Sequence, residues 1–215
     1  MCYIEGPMNS SVWILAPPRP EAEALASELG ISLVIAQVLV NRKITTPDAA
    51  RAFLFGNLDA LHDPYLMKGM PQAVDRIEKA IARHEKILIF GDYDVDGVLS
   101  VVMLFKALAS LGAEVEYFIP ERLKDGYGIK AHHVEIPVER GTGLVISVDC
   151  GIKAVEFTAQ AKAKGVDVII TDHHRPGESL PDAAAILNPV LEDSGYPDRD
   201  LAGVGVTFKL IQALL

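Results

Sequence analysis

Cysteine is nearly missing from this chain: Cys2 and Cys150 are the only two among 215 residues. One stands at the start and the other follows an apolar run, which excludes a disulfide framework and makes a reducing compartment, the cytoplasm, the expected setting. Long hydrophobic runs are missing too. Val12-Trp13-Ile14-Leu15-Ala16 has no basic residue before it and is too short for a signal peptide or a membrane span. Positive charge is the third shortage. Twenty Lys and Arg stand against 29 Asp and Glu, a formal net charge of −9, which excludes a protein that grips nucleic acid by bulk charge. It does not exclude a nucleic-acid enzyme whose positive charge comes from bound metal ions or a few placed arginines. What is there is an ordinary globular balance, half hydrophobic and 23% charged, enough for one large domain or one domain with a small appendage.

Residues 1–84 read as a small helical N-terminal segment. Glu21 to Leu29 is an Ala/Glu/Leu helix former that stops at Gly30. Ile31 to Val40 repeats apolar residues at helical spacing, although its β-branched content also suits a strand. Thr46-Pro47 has the chemistry of a helix start, with Thr as N-cap and Pro at the first helical position. Pro71 opens another helix, with Ala73, Ile77, Ala80 and Ile81 on one face. From residue 85 the texture changes. Apolar runs Lys86–Phe90, Val115–Ile119, Leu144–Val148 and Val166–Ile170 alternate with the helical patterns Val98–Leu111 and Ala154–Lys164. Strands apolar on both faces and separated by helices predict an α/β domain over 85–215, a mostly parallel sheet with helices on both faces.

Three of these runs end in acid. Phe90 leads into Gly91-Asp92-Tyr93-Asp94-Val95-Asp96-Gly97, Val148 into Asp149, and Ile170 into Thr171-Asp172-His173-His174. Ligands of open α/β sheets bind at the carboxyl ends of the strands, so five aspartates and two histidines share one rim. Two carboxylates ~4 Å apart repel by about 4 kcal/mol at an effective dielectric of 20. Such a crowd calls for a cation. Oxygen-rich ligands with an imidazole suit Mg²⁺ or Mn²⁺, the histidine favouring Mn²⁺, and a pair of such ions suits in-line attack on phosphorus. An EF-hand loop is excluded: its twelfth position, a Glu, is Met103 here, and an apolar strand stands where the loop needs a helix. A solvated acidic turn would explain Asp-x-Asp-x-Asp alone, but not two further acidic strand ends. His132-His133 reads as surface or helix packing and Cys150 as a buried filler. After the run 115–119, Arg122 and Lys124 are the natural phosphate contacts, and Tyr127 has the ring to stack on a base. Gly203-Val204-Gly205 opens the last helical pattern, where a helix N-terminus can host a phosphate oxygen or simply pack.

Gly91–Gly97, Asp149 and Asp172-His173-His174 resemble, in order and spacing, the first three motifs of the DHH phosphoesterase superfamily. Met67–Met70, Ile119-Pro120-x-Arg122, Gly126-Tyr127-Gly128, Asn188-Pro189 and Leu201–Leu210 resemble its branch of bacterial single-strand-DNA-specific exonucleases. The resemblance implies 5′-to-3′ degradation of single-stranded DNA to mononucleotides in repair and recombination, with two Mn²⁺ or Mg²⁺ ions. It implies single-strand-binding protein and helicase partners and no membrane. Carried over by motif, Asp92, Asp94, Asp96, Asp149 and His173 are metal ligands. His174 contacts the scissile phosphate, Asp172 orients the histidines, and Arg122 holds DNA backbone. The family also has a fourth acidic motif, a DHH-associated domain and a nucleic-acid-binding barrel beyond the span of this chain. The expectation is therefore an N-terminal piece with an incomplete metal site and little nuclease activity alone. Two other readings compete: a small-nucleotide phosphodiesterase or pyrophosphatase of the same superfamily, and a catalytically inactive scaffold.

Overall fold

A computed structural model describes residues 2–4, 13–122, 126 and 128–215. The chain divides into two units, Met1–Leu61 and His62–Leu215. In the first, strands β1 (Cys2–Ile4) and β2 (Trp13–Leu15) pair antiparallel, so a stretch expected to be helical or connective holds two short strands. Three helices follow: α1 (Pro20–Leu29), α2 (Leu33–Asn41) and α3 (Pro47–Phe55). The ambiguous Ile31–Val40 run is helical because Ser32 caps it, its Oγ accepting the N–H of Ile35 at 3.3 Å. Thr46 caps α3 in the same way, through Ala49. Ala22, Leu25, Ala36, Leu39, Val40 and Ala50 form the core of this unit.

The second unit opens with α4 (Met70–Ala82), whose buried stripe is Met70, Ala73, Val74, Ile77 and Ala80. That stripe joins one core with Ile87, Ile89, Leu144, Ile146 and Leu187 of the sheet, so the division expected at residue 85 falls inside this unit. The sheet holds β3 (Lys86–Gly91), β4 (Val115–Phe118), β5 (Thr142–Val148), β6 (Asp167–Thr171) and β7 (Ala185–Leu187). Their order is β4-β3-β5-β6-β7, and every pairing is parallel.

Alternation of side chains along a strand sorts the core into two layers. Ile87 and Ile89 face α4, α5 (Val95–Ser110) and α8 (Gly203–Leu214), while Leu88 and Phe90 face the layer of α7 (Val155–Ala163), with α6 (Glu135–Glu139) preceding β5. Each side chain fully buried in these layers contributes about 1.5–3 kcal/mol. The chain leaves β3 toward β4 on one side and leaves β5 toward β6 on the other. The carboxyl ends of β3 and β5 therefore flank the point where the strand order reverses, the usual crevice of an open parallel sheet. No described helix is long and apolar enough to cross a membrane.

Candidate metal centre

The first acidic group is shaped by a strand running straight into a helix. Asp92 leaves β3 buried, its Oδ1 accepting the N–H of Tyr93 at 2.7 Å. Asp94 is the N-cap of α5, its Oδ1 accepting the N–H of Gly97 at 3.0 Å. This cap starts the helix at Val95 rather than at the Val98 suggested by periodicity. Residue 97 must be glycine, because a Cβ there would lie 2.5 Å from the Asp92 carbonyl oxygen. Burial pushes the Asp92 carboxyl above its usual range, helped by Asp94 and Asp172.

Asp96, in the first turn of α5, is held from far along the chain. Its Oδ2 accepts from the N–H of Gly203 at 2.8 Å and its Oδ1 from that of Val204 at 2.6 Å. The N-terminus of α8, a possible seat for a phosphate oxygen, is thus occupied by a carboxylate of the same rim, where the helix dipole favours negative charge.

Asp149 sits at the centre. It has a left-handed backbone, φ 59°, which Asp and Asn tolerate better than most residues, and its N–H continues the β5–β6 pairing by donating to the Thr171 carbonyl at 2.9 Å. Its side chain is 2% exposed, and Oδ1 is buried without a hydrogen-bond partner. Burial, then Asp96 and Asp94, push its pKa up to about 8. His173 faces it: Nε2 lies 3.2 Å from Asp149 Oδ1 and 3.7 Å from Asp96 Oδ2. The Leu201 carbonyl, 3.1 Å from His173 Nδ1, can only accept. A proton therefore belongs on Nδ1, and Nε2 faces two carboxylates.

Asp172 organises the next layer. Fully buried, it accepts from the N–H groups of Ile152 (2.9 Å), His173 (2.7 Å) and His174 (3.1 Å), and from His174 Nδ1 (2.7 Å). Burial alone would raise its pKa, but the bonds from His174 and Ile152 outweigh burial and hold it low. The Asp172 bond raises the pKa of His174. Asn188 adds a strut that sequence reasoning did not assign a role, donating from Nδ2 to the His174 carbonyl at 2.9 Å.

These distances test whether a divalent cation suits the site. Asp149, His173 and His174 each bring one ligand atom within 4.8 Å of the others, and so do Asp92, Asp94 and Asp149. Asp149 belongs to both groups. An unpartnered buried oxygen, a facing imidazole nitrogen and crowded carboxylates are a hard, mixed oxygen–nitrogen donor set of the kind Mn²⁺ or Mg²⁺ takes. Of the remaining expected site residues, Arg122 is exposed and stands over the Tyr93 ring at 5.5 Å. Lys124 and Tyr127 lie outside the described residues. His133 packs against Phe90 and Phe118, and Cys150 is buried, as expected.

The approach of α8 is tight. A Cβ on Gly203 would lie 2.4 Å from Asp149 Oδ1. Gly203→Ala should therefore move Asp149 or pry α8 away from Asp96, costing about 1–3 kcal/mol of overpacking. The expected readouts are a lower melting temperature and Mn²⁺ affinity weakened at least tenfold; unchanged calorimetric Mn²⁺ binding would contradict this packing.

Residues 86–215 match the family described as DHH family, N-terminal domain. The single-stranded-DNA-specific exonuclease RecJ of Bacillus subtilis (strain 168) is 46% identical over 202 residues, covering 94% of this chain and 26% of that protein. A crystal structure of RecJ from Thermus thermophilus in complex with Mn²⁺ matches with a TM-score of 0.70 at 30% identity, over 92% of this chain and 27% of that one. A crystal structure of exonuclease RecJ bound to manganese matches with a TM-score of 0.62 at 38% identity, over 69% and 37%. The chain spans about a quarter of the length of the curated relatives it matches.

Proposed function

We propose that this chain, which belongs to the DHH family, is the metal- and phosphate-handling part of an exonuclease that hydrolyses phosphodiester bonds in single-stranded DNA. The observation that carries the proposal is Asp149: a buried carboxylate with an unpartnered oxygen, shared by two groups of converging ligands at the mouth of a parallel sheet. The names of its relatives set the substrate class, and the manganese in two solved ones sets the metal class.

In this reading Asp149, which belongs to both groups of ligand atoms, would help to hold Mn²⁺ or Mg²⁺. Asp92 and Asp94 complete one set and His173 the other, with Asp96 beside them fixed by α8. Held there, divalent cations would supply neutralisation of phosphoryl charge and a water activated at neutral pH. The chain's own groups do the rest. Asp172 accepts a hydrogen bond from His174 Nδ1 and so aims the ring; that bond raises the pKa of His174 and favours the imidazolium, which can donate to a phosphoryl oxygen. Asn188 and the Leu201 carbonyl fix the two histidines. Arg122, Lys124 and Tyr127 hold the strand. Degradation runs 5′ to 3′ with release of mononucleotides, in cytoplasmic repair and recombination, alongside a single-strand-binding protein and a helicase.

Two measurements test this. Calorimetric titration should detect Mn²⁺ binding at pH 8, and Mn²⁺-dependent hydrolysis should favour single strands over duplex. His174→Ala should leave Mn²⁺ affinity within about threefold while lowering hydrolysis roughly 10²-fold or more, the scale of a lost proton donor. No Mn²⁺ binding, or equal attack on duplex, would overturn the proposal. A preference for di- and trinucleotides over long strands would reassign the substrate to small nucleotides.

A further inference from the structure

Beside His174, on the rim of the metal centre, lies a cleft of about 210 Å³ whose lining includes Ile129, Lys130, Ile152, Lys153, Asp172 and His174. Drug-sized ligand pockets start near ~300 Å³, so this one fits a single nucleotide unit rather than a stretch of chain. Its lining joins apolar surface from Ile129, Ile152 and Ala154 to two exposed lysines, Lys130 and Lys153. Cations are scarce in a chain of net charge −9, and of the described lysines without an ion pair, Lys43, Lys106, Lys130, Lys153 and Lys209, only Lys130 and Lys153 line this cleft. Lys68, Lys79, Lys86, Lys162 and Lys164 all pair with carboxylates. Among the described residues Lys130 and Lys153 form no ion pair, and both line the same cleft. Two uncommitted cations at one opening, next to a histidine aimed at the metal centre, make a receptor for an anionic group.

Resting on the function proposed above, we propose that this cleft is the subsite for the nucleotide next to the bond being cut, with Lys130 and Lys153 contacting its phosphate and the apolar floor taking its sugar. Among the described residues the lining offers little to read a base: Asp172 Oδ1 accepts from His173 and His174 and its Oδ2 from Ile152, and no described Phe, Tyr, Trp, Asn or Gln side chain lines it. The subsite therefore holds nucleotides without regard to sequence.

The test uses the whole chain with saturating Mn²⁺ and a phosphorothioate-linked oligothymidylate, titrated across a salt series. Each single-strand phosphate contact contributes about 0.7 to the slope of log K against log salt. K130A/K153A should flatten that slope by about 1.4 and weaken binding about 10- to 30-fold at 0.1 M salt. K130R/K153R should recover most of the loss, and K106A, which removes an exposed lysine outside the cleft, should change neither quantity. Mn²⁺ affinity without DNA should be the same in all four proteins, and oligodeoxyadenylate should bind like oligothymidylate. Equal slopes for wild type and K130A/K153A would overturn the subsite while leaving the metal centre standing. Failure of the wild type to bind Mn²⁺ would overturn the underlying reading and the subsite with it.

Discussion

Asp149→Asn is expected to stabilise the metal-free protein by about 3 kcal/mol at pH 8 and to abolish its response to Mn²⁺. The sign follows from proton binding. In the unfolded chain an aspartate titrates near ~3.9; in the folded protein Asp149 holds its proton up to about 8, through burial and then the charges of Asp96 and Asp94. Between these values the unfolded state binds fewer protons, so stability falls as pH rises from about 4 to about 8 and levels off above. Each pKa unit corresponds to about 1.4 kcal/mol, so the whole excursion is on the order of 5 kcal/mol, part of which the variant retains as the cost of burying an amide. Asparagine is the right replacement because it keeps the left-handed backbone at φ 59°. For a chain of this size 1 kcal/mol moves the melting temperature by roughly 2–4 °C. The gain over wild type should therefore be absent near pH 4 and reach roughly 6–12 °C at pH 8. Mn²⁺ at ~100 times its Kd should add about 2.7 kcal/mol to the wild type and nothing to the variant. Because the ion displaces the Asp149 proton, wild-type Mn²⁺ affinity should rise about tenfold per pH unit up to about pH 8. Parallel melting curves for the two proteins at every pH would remove Asp149 from the centre of the site.

Much of this centre is legible in the sequence because its elements are local. Ile87–Phe90 and Leu144–Val148 are apolar on both faces since both faces are covered, and an acid directly after such a run must lie at the strand's carboxyl end. The missing pieces are long-range or very short. Asp96 is held by Gly203 and Val204 more than a hundred residues away, and nothing near residue 96 signals it. Strand β7 is three residues of an Ala-rich run, and only its pairing with β6 makes it a strand. Helix α4 reads as part of the leading helical segment because its amphipathic stripe does not say which partner it covers; that partner is the sheet. The start of α5 was readable in principle, since Asp94 three residues before Gly97 is an N-cap pattern. Lys130 and Lys153 have no motif at all, and only the fold brings them to one cleft.

Asp172→Asn is expected to act in the opposite direction from Asp149→Asn, although both aspartates are buried beside the same histidines. Asp172 spends its charge on four N–H donors, including His174 Nδ1 at 2.7 Å, and its folded pKa is depressed. Its contribution to stability is therefore complete above the unfolded value near ~3.9 and is lost as pH falls through the lower folded value. Hydrogen bonds to a charged group contribute about 1.5–3 kcal/mol, so the variant should lose about 2–3 kcal/mol at pH 7 and lose progressively less below pH 4. The consequence for His174 separates orientation from mere packing. With the carboxylate gone, the largest cause of its raised pKa is gone too, and its imidazole should titrate at lower pH than in the wild type, followed by the ring Cε1–H resonance. Hydrolysis of single strands should fall about 10–100-fold, as when the orienting partner of a metal-site histidine is removed, and the alkaline limb of its pH profile should move to lower pH with the imidazole. A variant that lost stability but kept the His174 titration of wild type would show that Asp172 braces the loop after β6 without tuning the ring, and the proton-donor role of His174 would need another source.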